Sequence, residues 1–284
     1  MKISVVMIDG EFRENTFGAE YFTKQDFPEH EYEVIWVEFY NQVPVAVTEN
    51  KKIKVVRLGN AKNTIYHSSY CFNKGILEAA GELIVIPDAD MIVKKDFLSQ
   101  LWNRHSLFDR LVIYPYRYDE AEANVLSSHD IAELEEKCIL KNPLNYGGCL
   151  SVRKKWLLEI NGYEQHKIFE SGFHANGLDI YTRFKNLGLA VMWAPEIKMY
   201  HPWHPFTLHS SIQYKLQFEL IAWRSKNLQY LALSGLNDQN NYTDLDADEF
   251  ANQFFRANQA HKAKPNSIGI KTIVKKLVKK ILPL

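Results

Sequence analysis

The sequence predicts an α/β protein, a mainly parallel sheet covered by helices, and two observations carry that reading. Short apolar runs alternate with helical patterns through the first part of the chain, and nothing repeats at a fixed period. Ile3–Ile8 is a near-continuous apolar run and reads as a buried strand. Asn15–Phe27 then reads as a helix, Tyr32–Phe39 as a second strand and Ile53–Leu58 as a third. Ser68–Ala80 places Cys71, Ile76 and Ala79 at helical spacing, and Gly81 supplies the stop. Leu83–Ile86 is a fourth strand, ended by Pro87, which has no N–H to donate to a ladder. Ligands of such sheets bind beyond the carboxyl ends of the strands, so Glu38 and Asp88 stand where a site is expected.

The middle of the chain is more mixed. Helices are expected at Ser127–Leu140, around Lys154–Ile160 and at Gly177–Leu187, with aromatic and Pro-rich segments at Tyr114–Tyr116 and Tyr200–Pro205 interrupting them. After Phe206 the chain turns helical again, then passes through the polar stretch Asn237–Asp248. Its Asn241-Tyr242-Thr243 sequon carries no meaning in a cytoplasmic protein. At the end, Ile273, Val274, Leu277, Val278 and Ile281 form one helical face and Lys271, Lys275, Lys276, Lys279 and Lys280 the other. Such a helix suits an anionic membrane surface, here through 268–284, and it can equally dock on its own domain or on a second subunit.

Composition narrows the classes. The 284 residues are 46% hydrophobic and 24% charged, enough for one large domain or two intimate ones without a staple. Three cysteines with no CxxC spacing argue against a disulfide framework and a zinc ribbon. With 34 basic and 34 acidic residues, no nucleic-acid partner is expected. No apolar run reaches the roughly 20 residues of a membrane span. Met1-Lys2-Ile3 runs straight into a strand, so no signal peptide is expected and the setting reads as cytoplasmic, peripheral on the inner membrane face if the tail engages lipid.

The informative segment is Gly81-Glu82-Leu83-Ile84-Val85-Ile86-Pro87-Asp88-Ala89-Asp90. Two carboxylates one residue apart at the end of a buried strand make a compact oxygen site, suited to Mg²⁺ or Mn²⁺ that also holds a diphosphate. Around it, Ser68–Leu101 with Asn73-Lys74-Gly75-Ile76, Gly81-Glu82 and Asp88-Ala89-Asp90 resembles glycosyltransferase family 2 of the GT-A fold. A second block agrees: Gly147-Gly148-Cys149-Leu150-Ser151-Val152-Arg153, then Trp156 and Ile160-Asn161-Gly162-Tyr163. A third, Asp179-Ile180-Tyr181-Thr182-Arg183-Phe184 with Gly188, matches the helix that in the family opens Glu-Asp-x-Asp-Leu.

The resemblance implies a Rossmann-like GT-A domain with a donor half at 1–114, an acceptor half at 115–205 and a helical C-terminal extension at 206–284. It implies transfer of a sugar from a nucleotide-sugar donor, UDP-sugar favoured, to an acceptor hydroxyl with inversion. Asp88 and Asp90 would meet the metal and diphosphate, Asp90 more directly, and Asn73 belongs to the donor motif. Glu38 stands where the family places a base-contacting Asp, and Asp9 or Glu11 is a further base or ribose contact. Gly147, Gly148 and Trp203 fall to the acceptor side, Trp203 as a sugar-stacking platform. His201 or His204 would complete the metal site, neutral imidazole being a fitting Mn²⁺ ligand.

Three departures stand out. Ile8-Asp9-Gly10-Glu11 replaces the family's Pro-Thr-Tyr-Asn, and Phe72 precedes Asn73 where Arg or Leu is usual. The family's Glu-Asp pair, whose Asp is the usual general base, falls on Asn176-Gly177, neither of which can take a proton. Asp179 is the first replacement, although Asn176-x-x-Asp179 also has the spacing of a capping box; Glu170 and His174 on the preceding loop are the alternatives. The reading is a metal-dependent glycosyltransferase acting on a glycan or glycolipid acceptor in cell-surface polysaccharide or glycolipid assembly. Its rival is a catalytically silent nucleotide-sugar-binding protein that has lost the base. A nucleotidyltransferase would carry a Gly-rich basic loop after the first strand, where Asp9-Gly10-Glu11-Phe12-Arg13 stands instead.

Overall fold

A computed structural model describes residues 1–11, 16–121, 130–170, 174–205, 213–237 and 245–256. The chain divides into two compact units, Met1–Asp244 and Leu245–Leu284. In the first unit the four early strands are β1 (Ile3–Asp9), β2 (Tyr32–Glu38), β3 (Ile53–Arg57) and β4 (Leu83–Pro87), each within two residues of its expected range. They pair in parallel in the order β3-β2-β1-β4, with Asp9 opposite Glu38 in register. The sheet continues through β7 (Cys149–Arg153), β6 (Leu111–Asp119), β8 (Ala190–His201) and the two-residue β5 (Ile92–Val93). Strand β7 runs antiparallel to β4 and β6, β8 runs parallel to β6, and β5 antiparallel to β8. The mainly parallel sheet is thus an eight-stranded one that mixes directions in its second half.

Side-chain alternation builds a core on each face, because successive strand residues point to opposite sides. Val5, Met7, Val34, Trp36, Val85 and Ile113 pack with helices α1 (Gly18–Phe22) and α4 (Phe97–Leu107). Val6, Ile8, Ile35, Val37, Ile84 and Val112 pack on the opposite face with α3 (Ser68–Glu78), α6 (Lys154–Glu159) and α7 (His174–Asn186). Short helices α2 (Val45–Thr48) and α5 (Ile131–Lys137) lie between strands, and α8 (Tyr214–Asn227) follows the sheet. In the second unit, α9 (Ala247–Ala251) runs into a π-helical turn at Asn252–Arg256.

Several elements differ from expectation for identifiable reasons. The helix read over Asn15–Phe27 is only α1. Gly18 donates its N–H to the Ala89 carbonyl, and a Cβ there would stand 2.4 Å from that oxygen, which fixes the start. Downstream, Gln25 bonds the Lys94 carbonyl and accepts from the Leu98 N–H, which draws the chain out of the helix. Pro115 does not interrupt the chain but sits inside β6 at a register shift, where a bulge tolerates its missing donor. Helix α7 begins at His174, so Asn176 is inside it and not its cap: its Nδ2 donates to Ser68 Oγ at 2.7 Å. The expected helix at Ser127–Leu140 is described only over Ile131–Lys137, while the sequon and the basic tail at 268–284 lie outside the described residues. Among the described residues, no helix is long and apolar enough to cross a membrane.

Candidate active site

Strand β5 is short, but it determines where Asp90 goes. After β4 the chain turns through Asp88-Ala89-Asp90, and the Met91 N–H returns to the Asp88 carbonyl at 3.2 Å. It then runs antiparallel along the end of β8, with Ile92 opposite Tyr200 and Val93 opposite Met199. That register sets Asp90 beside His201, the last residue of β8. Asp90 Oδ2 lies 4.0 Å from His201 Nε2 and 3.5 Å from His204 Nε2, and the two Nε2 atoms are 3.2 Å apart. All three groups are within reach of one ion.

The ring tautomers follow from their other partners. His201 Nδ1 is 3.0 Å from Asp119 Oδ1, and an ionised carboxylate only accepts, so Nδ1 carries the proton. His204 Nδ1 faces the Pro205 carbonyl at 2.9 Å, which makes the same assignment. Each ring therefore turns its Nε2 toward the other and toward the Asp90 carboxylate. Metal bonds of about 2.0–2.2 Å put adjacent ligand atoms about 3 Å apart, close to the spacings here. The residues fit a divalent cation, and the nitrogen–oxygen set is softer than Mg²⁺ prefers.

Two side chains not anticipated from the sequence hold this geometry. Asp119 ends β6 opposite His201 and also meets Arg117 Nε at 3.0 Å. Burial acts to raise its carboxyl, but the hydrogen bond from His201 and the charge of Arg117 outweigh it and hold it below the usual carboxylate value. Glu120 accepts the Trp203 N–H at 2.8 Å, and its own N–H donates to the His201 carbonyl at 3.0 Å, fastening the Pro202–His204 turn. A carboxylate two residues from Arg117 at the end of a strand gives no sequence signal until its partner histidine is known.

The other expected site residues are distributed differently. Asp88 is half-buried and outside the three-group cluster; its N–H donates to the Gly148 carbonyl at 2.7 Å, tying the acidic turn to the Gly-Gly strand. Burial, with the Asp88 charge behind it, pushes the Cys149 thiol up. Gly147 is exposed and Gly148 buried with φ +87°, a conformation that favours glycine. Trp203 is half-buried above Glu120.

Asp9 and Glu38 are not open to a ligand in this structure. Both are buried at the paired ends of β1 and β2, and Glu38 accepts the Tyr40 N–H at 3.1 Å. Burial, with the Asp9 charge behind it, raises the Glu38 carboxyl to about 7. The neighbouring Glu11 accepts from Gln42 N–H at 2.9 Å and pairs with Lys62. Asn73 is buried as well: it donates to the Tyr163 carbonyl and Gln165 Oε1 and accepts the Tyr163 N–H, so its side chain ties α3 to that segment.

The base assignment to Asp179 meets a clear obstacle. Asp179 is 1% exposed, and its two oxygens are taken by Arg183 Nε at 2.9 Å and by Arg224, which also pairs with Glu164. No acceptor hydroxyl reaches a carboxylate so enclosed, and the cluster fixes α7 against α8. Glu170 is half-buried at the end of the Lys167–Phe169 turn, and burial raises its carboxyl above the ordinary value despite Lys167 nearby. His174 begins α7, and its side chain lies outside the described residues.

No protein-family profile matches the chain, and no curated protein matches it in sequence. Solved structures do match in shape. S. aureus TarS 1-349 in complex with UDP superposes with a TM-score of 0.56 at 13% identity, over 94% of this chain and 76% of that one. The same fragment with UDP-GlcNAc gives 0.57 at 15%, over 94% and 77%. GalNAc-T7 with UDP, GalNAc and Mn²⁺ gives 0.57 at 12% identity, over 93% of this chain and 58% of that one. The chain therefore has the GT-A fold of these glycosyltransferases.

Two outcomes follow from the site. Replacing Asp119 with Ala frees His201 to rotate and lowers Mn²⁺ affinity about 10- to 100-fold, read by electron paramagnetic resonance of the free ion. Unchanged affinity would remove Asp119 from the account. For Glu38, a folded-state value near 7 against an unfolded value of about 4.3 costs nothing at low pH, and the cost grows as pH rises from about 4 through 7. Glu38→Gln should stabilise the chain by about 3–4 kcal/mol at pH 8 and leave it unchanged at pH 4, measured by urea unfolding at both.

Proposed function

We propose that this protein is a metal-dependent glycosyltransferase that moves a sugar from a UDP-sugar to an acceptor hydroxyl with inversion. The observation that carries the reading is the meeting of Asp90, His201 and His204 beyond the carboxyl ends of β4 and β8. That is where an open α/β sheet binds its ligand. The matching folds bind UDP and UDP-GlcNAc in TarS, and UDP with Mn²⁺ in GalNAc-T7, which supports a uridine donor and Mn²⁺ ahead of Mg²⁺.

When bound, the ion supplies Lewis-acid stabilisation of the departing diphosphate. The chain's own groups do the rest. Asp119 and the Pro205 carbonyl hold the two imidazole protons on Nδ1, so both Nε2 atoms stay available. Gly148 fixes the acidic turn through the Asp88 N–H, and Asp88 stands on that turn two residues before Asp90. In this reading Glu170 is the carboxylate assigned to the acceptor proton, since burial raises its affinity for one despite Lys167 nearby. Gly147 and Trp203 border the acceptor side. A glycan or glycolipid acceptor in cell-surface polysaccharide assembly fits this reading, with the tail at 268–284 holding the enzyme to an anionic membrane from the cytoplasmic side.

A second reading has its own observation. Asn176-Gly177 stands where the family carries its base, and Asp179 is sealed in arginines, which favours a nucleotide-sugar-binding protein without transfer. Calorimetric titration of UDP-, GDP- and dTDP-sugars with and without Mn²⁺ is expected to show metal-dependent binding of the UDP class alone. Donor turnover by hydrolysis then separates the readings. It should occur in the native chain and fall at least about 100-fold in Glu170→Gln. Binding without turnover would establish the silent protein, and no binding of any donor would defeat both.

A further inference from the structure

Arg117 lies on β6 two residues before Asp119, so the two side chains share a face of the sheet, as do Met199 and His201 opposite them. Its Nε is 3.0 Å from Asp119 Oδ1, the same oxygen that receives the His201 proton. The side chain is 25% exposed, and among the described residues Asp119 is the one carboxylate within ion-pair distance. That carboxylate is shared with a histidine.

The rest of the guanidinium extends toward the Gly-Gly segment. A Cβ on Gly147 would stand 4.0 Å from Arg117 Nη1, and one on Gly148 would stand 3.1 Å from Arg117 Cδ and 2.6 Å from Met199 Cε. Gly148 therefore leaves the space in which the arginine stem lies, while its carbonyl holds the acidic turn through Asp88. Gly147 is exposed, so the Nη end of the fork lies toward the surface beside the Gly-Gly segment whose carbonyl holds the acidic turn. A planar fork whose Nε is charge-paired with Asp119 and whose Nη end lies by the exposed Gly147 is arranged for an oxyanion, which it can meet with two parallel N–H bonds.

We propose that Arg117 is a substrate-binding residue that donates to the diphosphate of the nucleotide donor. The proposal rests on the donor reading above. Arg117 then has two tasks on one guanidinium: Nε keeps Asp119 in place behind His201, and the Nη groups meet phosphate oxygens that the metal leaves uncovered. A lysine cannot perform both, because it is a point charge without a fork.

The test uses the full chain, Mn²⁺ and UDP, with Arg117→Met and Arg117→Lys compared with the native protein. With Mn²⁺ saturating, Arg117→Met should weaken UDP binding about 10- to 100-fold, the size of a charged hydrogen bond, and Arg117→Lys should fall between. Mn²⁺ affinity without nucleotide should fall by a clearly smaller factor than UDP affinity, because Asp119 keeps its bond to His201 when Arg117 is replaced. The lysine variant retains the charge and most of the stem, so it reads the proposal even where methionine disturbs folding. Unchanged UDP affinity in both variants overturns the proposal. A fall in Mn²⁺ affinity equal to the fall in UDP affinity also overturns it, since the arginine would then act only through Asp119. Failure of the native chain to bind UDP with Mn²⁺ is a separate result: it removes the donor reading itself.

Discussion

Two imidazole lone pairs and a carboxylate oxygen held within 4.0 Å of one another repel unless a positive charge lies between them. This constraint organises the second half of the fold. Asp119 and the Pro205 carbonyl take the Nδ1 protons on the far side of each ring, which leaves the two Nε2 atoms facing inward. Asp119 is kept in place by Arg117, and the turn that carries His204 is kept in place by Glu120. Each of these groups lies behind one of the three side chains rather than among them, and their combined effect is to fix the arrangement of Asp90, His201 and His204.

The backbone serves the same end. Parallel strands β1 to β4 create the carboxyl-end crevice, but the second half of the sheet supplies most of the machinery around Asp90. Antiparallel β7 lies between β4 and β6 and delivers Gly148 to the acidic turn. The two residues of β5 bring the turn's exit alongside β8 and so determine that Asp90, and not Asp88, joins the histidines. On the opposite face, Asp179, Arg183, Arg224 and Glu164 form a buried ionic cluster that joins α7 to α8. Removing one partner from such a cluster strands a charge, so its members are tied to the fold and are not available for proton transfer.

Much of this was legible in the sequence, and the limits have physical causes. Strands β1, β2 and β4 are almost wholly buried and read as near-continuous apolar runs, and the partly exposed edge strand β3 still carries Ile53, Val55 and Val56, so all four fall close to their expected ranges. Asp90 and the two histidines were legible as ligand types. Their convergence depends on the pairing of β5 with β8, a contact between segments about a hundred residues apart that no local pattern encodes. Helix α1 was overextended because periodicity does not register the backbone bond of Gly18 to Ala89. Asp179 has the same one-letter identity whether it faces an acceptor or two arginines, and only Arg224, forty-five residues on, decides between them. Asp9, Glu38 and Asn73 sit at the expected strand and helix positions yet are turned into the protein, a matter of side-chain packing that spacing does not convey.

The central claim is that Asp90, His201 and His204 bind one divalent cation together. The most direct measurement is anomalous diffraction at the manganese edge from crystals grown with Mn²⁺ and UDP. The account predicts one strong peak at bonding distance, about 2.0–2.3 Å, from Asp90 Oδ2 and both Nε2 atoms. A peak at Asp88 without the histidines, or no peak at these three residues while UDP is bound in the cleft, would contradict it.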